Sequence, residues 1–181
     1  MPFTPFHIAA GASVKAIVPR HFSWSVFTLT NILIDCEPLY YHFTEGMLSH
    51  KFFHSIIGAS IVAIVCATLG KPLCEYGLKL WNNSLAPEDK KWLGSGIKIS
   101  HFSAWTGAVI GAYSHLILDS IMHLDIKPLA PFTDENQLLG IINLMELHIL
   151  CVALLILGAI IYFFKNKPYR NKITTSNPMK R

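Results

Sequence analysis

Ser55-Ile56-Ile57-Gly58-Ala59-Ser60-Ile61-Val62-Ala63-Ile64-Val65 is the stretch on which the fold turns. It carries no charge, and its glycine, alanine and serine positions suit close helix packing in lipid. The apolar character continues to Leu69, so a helix from Ser49 to Leu69 is long enough to cross a hydrocarbon core of about 30 Å. The chain around it is of the same kind. Of its 181 residues 52% are hydrophobic and only 14% charged, with a mean hydropathy of +0.42, too apolar for an ordinary soluble domain of this length.

Four more helical segments follow from the apolar spacing. Pro5 to Val18 rises only about 21 Å, too short to cross the bilayer cleanly. Phe22 to Asp35 is expected to break or restart at Pro38, because proline disfavours the α conformation at Glu37. His101 to His123 is rich in Gly, Ala and Ser on one side, and Leu139 to Phe164 is the most continuous apolar run. Between Gly70 and Ser100 the chain turns polar, with scattered leucines and tryptophans that predict one or two short helices at the interface. The expected fold is all-α, an integral membrane bundle of four to five helices with a short interfacial insertion. A single membrane domain is expected over residues 1–164, followed by a basic tail, 165–181, expected to be disordered.

Charge placement adds an orientation. The formal net charge is +4, but the basic residues lie between and after apolar segments rather than along one stripe, so no nucleic acid is expected. If the tail is cytoplasmic and each segment reverses direction, 13 of the 15 basic residues fall on the cytoplasmic side, with only Lys51 and Lys127 outside. Eight of the eleven acids, with His7, His50, His54, His115 and His123, fall on the opposite side. The four cysteines form no C-x-x-C pair and predict no disulfide framework. Met1 to Ala16 carries no basic residue before Lys15 and reads poorly as a secretory signal.

Histidines and carboxylates gather at helical intervals. His50 and His54 are four apart, and His115, Asp119 and His123 repeat that step, which on a helix places neighbours about 6 Å apart on one face. His115 and His123, however, are separated by roughly 12 Å along an axis. Two metals, an outer role for one of the three, or unwinding near Ser120 would each resolve this. Asp35 and Glu37 would point about 200° apart on a helix, and a break at Pro38 would let both turn into one cavity. One carboxylate would then ligate and the other act as general base on a metal-activated water. Groups of this kind are costly beside apolar helices unless they share an ion, a proton or a substrate. His21, His42, His101 and His148 stand alone and read as packing residues.

Four segments carry a family resemblance: Met1-Pro2-Phe3-Thr4-Pro5-Phe6-His7, Ile34-Asp35-Cys36-Glu37-Pro38, His50-Lys51-Phe52-Phe53-His54-Ser55 and Ser114-His115-Leu116-Ile117-Leu118-Asp119-Ser120. In this order they resemble the YdjM-like membrane-bound metal-dependent hydrolases, themselves distantly similar to bacterial zinc-dependent phospholipase C. The resemblance implies a helical membrane hydrolase with a divalent metal site. His7 matches the family's N-terminal histidine, Asp35 and Glu37 its paired acids, His54 the histidine of its T-H-S motif, and His115 with Asp119 its H-x-x-x-D. The chain departs from the pattern in two places. His50 and His54 are one residue closer than usual, with Lys51 in place of arginine, and Glu37 stands where aspartate is usual.

Together these features predict an inner-membrane metal-dependent hydrolase, with zinc the best fit and one or two ions bound. His7, Asp35, His50, His54, His115 and Asp119 are the expected metal ligands. Glu37 is the expected base and His123 an outer ligand or acid. The expected partners are membrane lipids, with a lipid or phosphoester substrate. A transporter or proton relay using the same groups, or a non-catalytic metal-stabilised membrane protein, is the alternative.

Overall fold

Three serines start three of the helices. Ser23, Ser55 and Ser100 each precede an apolar run with extended backbone, and each side chain accepts a hydrogen bond from the N–H three residues on, at Val26, Gly58 and Ser103. This cap satisfies a donor that the first helical turn leaves orphaned. The computed structural model describes residues 4–175, and among them all regular structure is helical. In chain order the elements are α1 (Thr4–Ile17), α2 (Trp24–Glu45), α3 (Ile56–Val65), a π-helical turn (Cys66–Gly70), α4 (Lys71–Ser84), the short α5 (Lys90–Leu93), α6 (His101–Met122) and α7 (Leu144–Thr175).

Two spans are long and apolar enough to cross a membrane, Ile56–Ser84 and Leu144–Lys165. In the second only 17% of the most apolar window is buried, leaving Ile149, Val152, Leu155, Ile156 and Ile160 exposed. Inside the bundle the contacts are made by small residues. Ala59, Ala63, Ala67, Ala104, Ala108 and Ala112 surround Val26, Ile34, Val62 and Leu116. Gly107 and Gly111 bring α6 onto α2: a Cβ on Gly107 would lie 2.5 Å from the Ser23 carbonyl, and one on Gly111 3.0 Å from that of Phe27. A Gly-x-x-x-Gly step of this kind lets two backbones approach closely enough for dispersion contacts to hold them. α1 is docked on α7 by the same means. A Cβ on Gly158 would stand 2.8 Å from the Ala12 and Ser13 backbone, Ser13 donates to the Leu154 carbonyl, and Lys165 Nζ donates to the carbonyls of Ala16 and Ile17 at 3.0 and 2.8 Å.

Three expectations are corrected. α2 does not break at Pro38 but runs on to Glu45, where Gly46 with φ of 75° and an N–H bonded to His42 ends it. Pro38 is buried inside the helix, and the preceding Glu37 is pinned by hydrogen bonds to the neighbouring loop, which holds it helical against the proline's bias. The third helix begins at Ile56 rather than Ser49. Residues 51–53 direct their N–H groups at Glu37, so His50 and His54 sit on a loop and not on one helical face. The final helix continues past Phe164 to Thr175, because extending an existing helix adds a hydrogen bond per residue without a new nucleation cost. Over 166–175 the backbone of the tail is helical. The remaining tail, 176–181, and the opening Met1-Pro2-Phe3 lie outside the described residues.

The expected interfacial insertion begins as a continuation of the third helix through the π-turn into α4. Trp81 Nε1 then donates to the Leu93 carbonyl at 3.0 Å, and Asn82 exchanges two hydrogen bonds with the Ser95 backbone. Lys15, Arg20 and Lys98 line one cavity of about 480 Å³ near this insertion. The chemistry-bearing residues gather around the opposite ends of α2 and α6.

Candidate metal centre

Four elements converge here. α1 carries His7, α2 carries Asn31, Asp35 and Glu37, the loop before α3 carries His54, and α6 carries His115 and Asp119. Asn31 and Asp35 share one face of α2, as His115 and Asp119 share one face of α6, because each pair is four residues apart. The Asp119 carboxylate is the hub. It stands 2.9 Å from His7 Nε2, 3.4 Å from His54 Nε2 and 3.2 Å from His115 Nε2. Asp35 adds a second carboxylate 3.2 Å from His115 Nε2, and the His7 ring stacks on that of His115 with centroids 4.1 Å apart. His7, His54, His115 and Asp119 are at most 2% exposed. The Asp35 side chain is 29% exposed, so the cluster opens to solvent on its side.

Two imidazoles are fixed from behind. The Asn31 amide donates to the Phe27 carbonyl at 2.8 Å, which leaves its oxygen for His115 Nδ1, 3.1 Å away. His54 Nδ1 donates to Glu37 Oε2 at 3.2 Å. With both Nδ1 atoms acting as donors, each ring turns its Nε2 to the centre, the arrangement by which a second partner orients a metal-ligating histidine. Replacing Asn31 with Ala is expected to weaken metal binding by about 10–100-fold, measured by competition with a chromogenic chelator. Unchanged affinity would remove Asn31 from the site.

The centre itself is not closed by hydrogen bonds. His7 Nε2, His54 Nε2, His115 Nε2 and Asp119 Oδ1 are all buried without a hydrogen-bond partner. They stand close to one another but out of line for N–H···O bonding. A single buried polar atom left this way costs about 1–3 kcal/mol, and three unpartnered nitrogens gathered within 3.4 Å of one carboxylate are what a cation would resolve. Asp35, His54, His115 and Asp119 each offer a donor atom, all within 4.8 Å of one another, and could hold a metal ion. Nitrogen and carboxylate oxygen donors in this mixture suit zinc, manganese or iron. Burial would push the His54 imidazole down, but Asp119 on one side and Glu37 on the other hold it above its ordinary value. The same two carboxylates favour a cation at that place.

Glu37 is placed otherwise than the sequence suggests. Besides His54 it accepts the backbone N–H groups of Lys51, Phe52 and Phe53 at 3.0, 2.7 and 3.0 Å. Of these four donors Oε2 takes three and Oε1 one, out of the about four acceptor sites that a carboxylate has. Glu37, the expected general base, is placed where it folds the loop and aims His54. On an unbroken α2, Asp35 and Glu37 do diverge, and they meet the cluster from two directions, through His115 and through His54.

His50 and His123 lie outside the buried centre, in a second group. The helix ends at Met122, and His123 follows it with extended backbone (φ −106°, ψ 123°). The His123 ring lies 4.3 Å from the His50 ring, which in turn is 4.6 Å from that of His54. Asp125 holds His50 with its two oxygens 3.1 and 3.0 Å from Nδ1, and accepts the His50 backbone N–H at 2.8 Å. Burial acts to raise the Asp125 carboxyl, but the His50 N–H and ring outweigh it and hold the group below its usual range. Burial lowers the His123 imidazole, against the pull of Asp119 and Asp125. The eight-residue interval from His115 to His123 therefore spans two groups of residues rather than one.

Asn31 and Asp125 are the residues that sequence spacing does not pick out. Each carried one weak signal, Asn31 as a lone amide in an apolar run four residues before Asp35, and Asp125 as an acid two residues after His123.

An all-helical chain with two membrane-length apolar helices and a buried histidine–aspartate cluster defines the class, a membrane protein with a candidate metal site. The family model of the YdjM inner membrane protein matches residues 7–176, and the chain belongs to that family. No curated protein and no solved structure matches it.

Proposed function

We propose that this protein is a metal-dependent hydrolase of the inner membrane, acting on a phosphoester or other ester of a lipid. One observation carries the reading: three imidazole Nε2 atoms and a carboxylate oxygen meet in the bundle without hydrogen bonds, while two of the rings are fixed from behind by Asn31 and Glu37. His54, His115, Asp119 and Asp35 would hold a divalent ion, zinc by the donor set, with His7 completing the cluster. When bound there, such an ion supplies a Lewis acid and lowers the pKa of a coordinated water to about 7. Asp119 keeps three rings in register, Glu37 sets the loop and the His54 tautomer, and partly exposed Asp35 marks the side from which an ester bond approaches. His50 and His123 stand beyond His54 on the approach.

The test uses the full chain in detergent. At least one bound ion per chain is expected by elemental analysis, lost in His115→Ala, together with release of soluble phosphoester or acid from lipid vesicles by the metal-loaded protein. Less than one ion, unaltered by His115→Ala, would end the hydrolase reading. Metal without any product from a panel of lipid esters would instead favour a metal-stabilised membrane protein.

We also propose that α7 ends in the cytoplasm and the metal centre faces the extracytoplasmic side. The gathering of Lys15, Arg20 and Lys98 around one cavity, with Lys165 beside the end of α1, supports this through the positive-inside bias. A fluorescent protein fused after Arg181 should fold and fluoresce, and a periplasm-dependent phosphatase at the same point should be inactive. The reverse pattern would invert the topology.

A further inference from the structure

The buried centre leaves one cluster unexplained. His50 and Asp125 alone would make a satisfied histidine–carboxylate pair, but that pair does not account for His123. Its ring makes no hydrogen bond among the described residues and is held 4.3 Å from the His50 ring at an interplanar angle of 34°. His50, His123 and Asp125 each offer a donor atom, and the three atoms lie within 4.8 Å of one another. They come from the loop before α3 and from the segment following α6, which the Ile56 N–H to Pro128 carbonyl bond, 2.8 Å, ties together.

We infer that His50, His123 and Asp125 form a second divalent-cation site at the mouth of the first. The inference deepens the metal-centre reading and rests on it. The two clusters touch, since the His50 and His54 rings are 4.6 Å apart, yet they differ in character. The inner one has four candidate donors, His54, His115 and Asp119 at most 2% exposed and Asp35 partly exposed. The outer one has three protein donors and borders a cavity of about 470 Å³ lined by Ser49, His50, Lys51, Phe52, Asp125 and Lys127. Three protein ligands with an accessible remaining position is the pattern of sites that exchange solvent or substrate. Paired ions are also the common solution where both the attacking and the leaving oxygen of a phosphoester must be stabilised. The outer site is accordingly the one a ligand reaches first.

Metal stoichiometry tests this without reference to activity. Full-length protein, stripped with chelator in detergent and titrated with zinc or with cobalt as a spectroscopic probe, should take up two ions per chain. His123→Ala, its milder counterpart His123→Gln, and Asp125→Asn should each bind one, with the tighter site retained. Asp125→Asn keeps an acceptor for the His50 N–H, so the loop should stay folded, and circular dichroism should match the parent chain. One ion in the parent, lost in His115→Ala and untouched by His123→Ala or His123→Gln, would overturn the second site while leaving the first. No ion at all in the parent would overturn both.

Discussion

Asp119→Asn should empty the metal centre: affinity is expected to fall more than about 100-fold, beyond the loss typical of an outer-shell partner. The substitution preserves shape and changes charge. Among the described residues the Asp119 carboxylate lies within 3.4 Å of three imidazole Nε2 atoms, and its replacement removes a full negative charge that is itself enclosed in the cluster. Asp35 remains, but it is partly exposed, with a carboxylate oxygen 3.2 Å from His115 Nε2. Breaking a buried charged network from one side costs about 3–5 kcal/mol, so the variant should also unfold at lower temperature in detergent than the parent. Metal content equal to the parent's, by elemental analysis, would show that Asp119 is not a ligand.

Gly58→Ala should do comparable damage from a position that bears no chemistry. A Cβ there would stand 1.9 Å from the Phe52 carbonyl oxygen and 2.8 Å from Phe53 Cα. Backbone, not a flexible side chain, is in the way, so the loop itself must move. Ser55 cannot absorb the shift, because its hydroxyl donates to that same Phe52 oxygen and accepts from the Gly58 N–H. The displacement is passed to His54, one residue away, and to the three N–H groups that Glu37 gathers. A cost of about 1–3 kcal/mol or more is expected from the overlap alone, with loss of bound metal. Gly77→Ala serves as control: nothing lies within 4 Å of its Cβ position, and alanine in place of a helical glycine should raise stability by up to about 1 kcal/mol. If both variants keep metal and melting temperature alike, the loop is more compliant than its packing implies.

Apolar runs located the helices well because lipid-compatible segments differ from their surroundings in composition alone. α1 is expected from Pro5 and observed from Thr4, and α6 is expected to His123 and ends at Met122. What spacing could not convey was backbone that depends on a distant partner. Pro38 reads as a break in any local rule, and the helix persists because Glu37 is held from residues 51–54. His50 and His54 read as one helical face, and they leave the helix because Ser55 caps it and Glu37 claims the preceding N–H groups. Asp119 with His115 was recognisable from its i, i+4 step. Asn31 was not, since a lone amide acquires meaning only when a histidine from another helix arrives opposite it. The two-site division of the histidines likewise depends on where α6 stops, which a run of His-x-x-x-Asp-x-x-x-His leaves open.

α7 contributes no donor to the cluster, yet it governs how deep His7 sits. α1 is only 14 residues long and is moored to its neighbour over its C-terminal half, by the notch at Gly158, by Ser13 on Leu154, and at its far tip by Lys165. The last helix therefore works as a strut whose length calibrates the reach of the first. Any force that slides it along the bilayer normal, such as a change in membrane thickness or a load on the basic tail, would be delivered to an imidazole at the opposite end of the molecule.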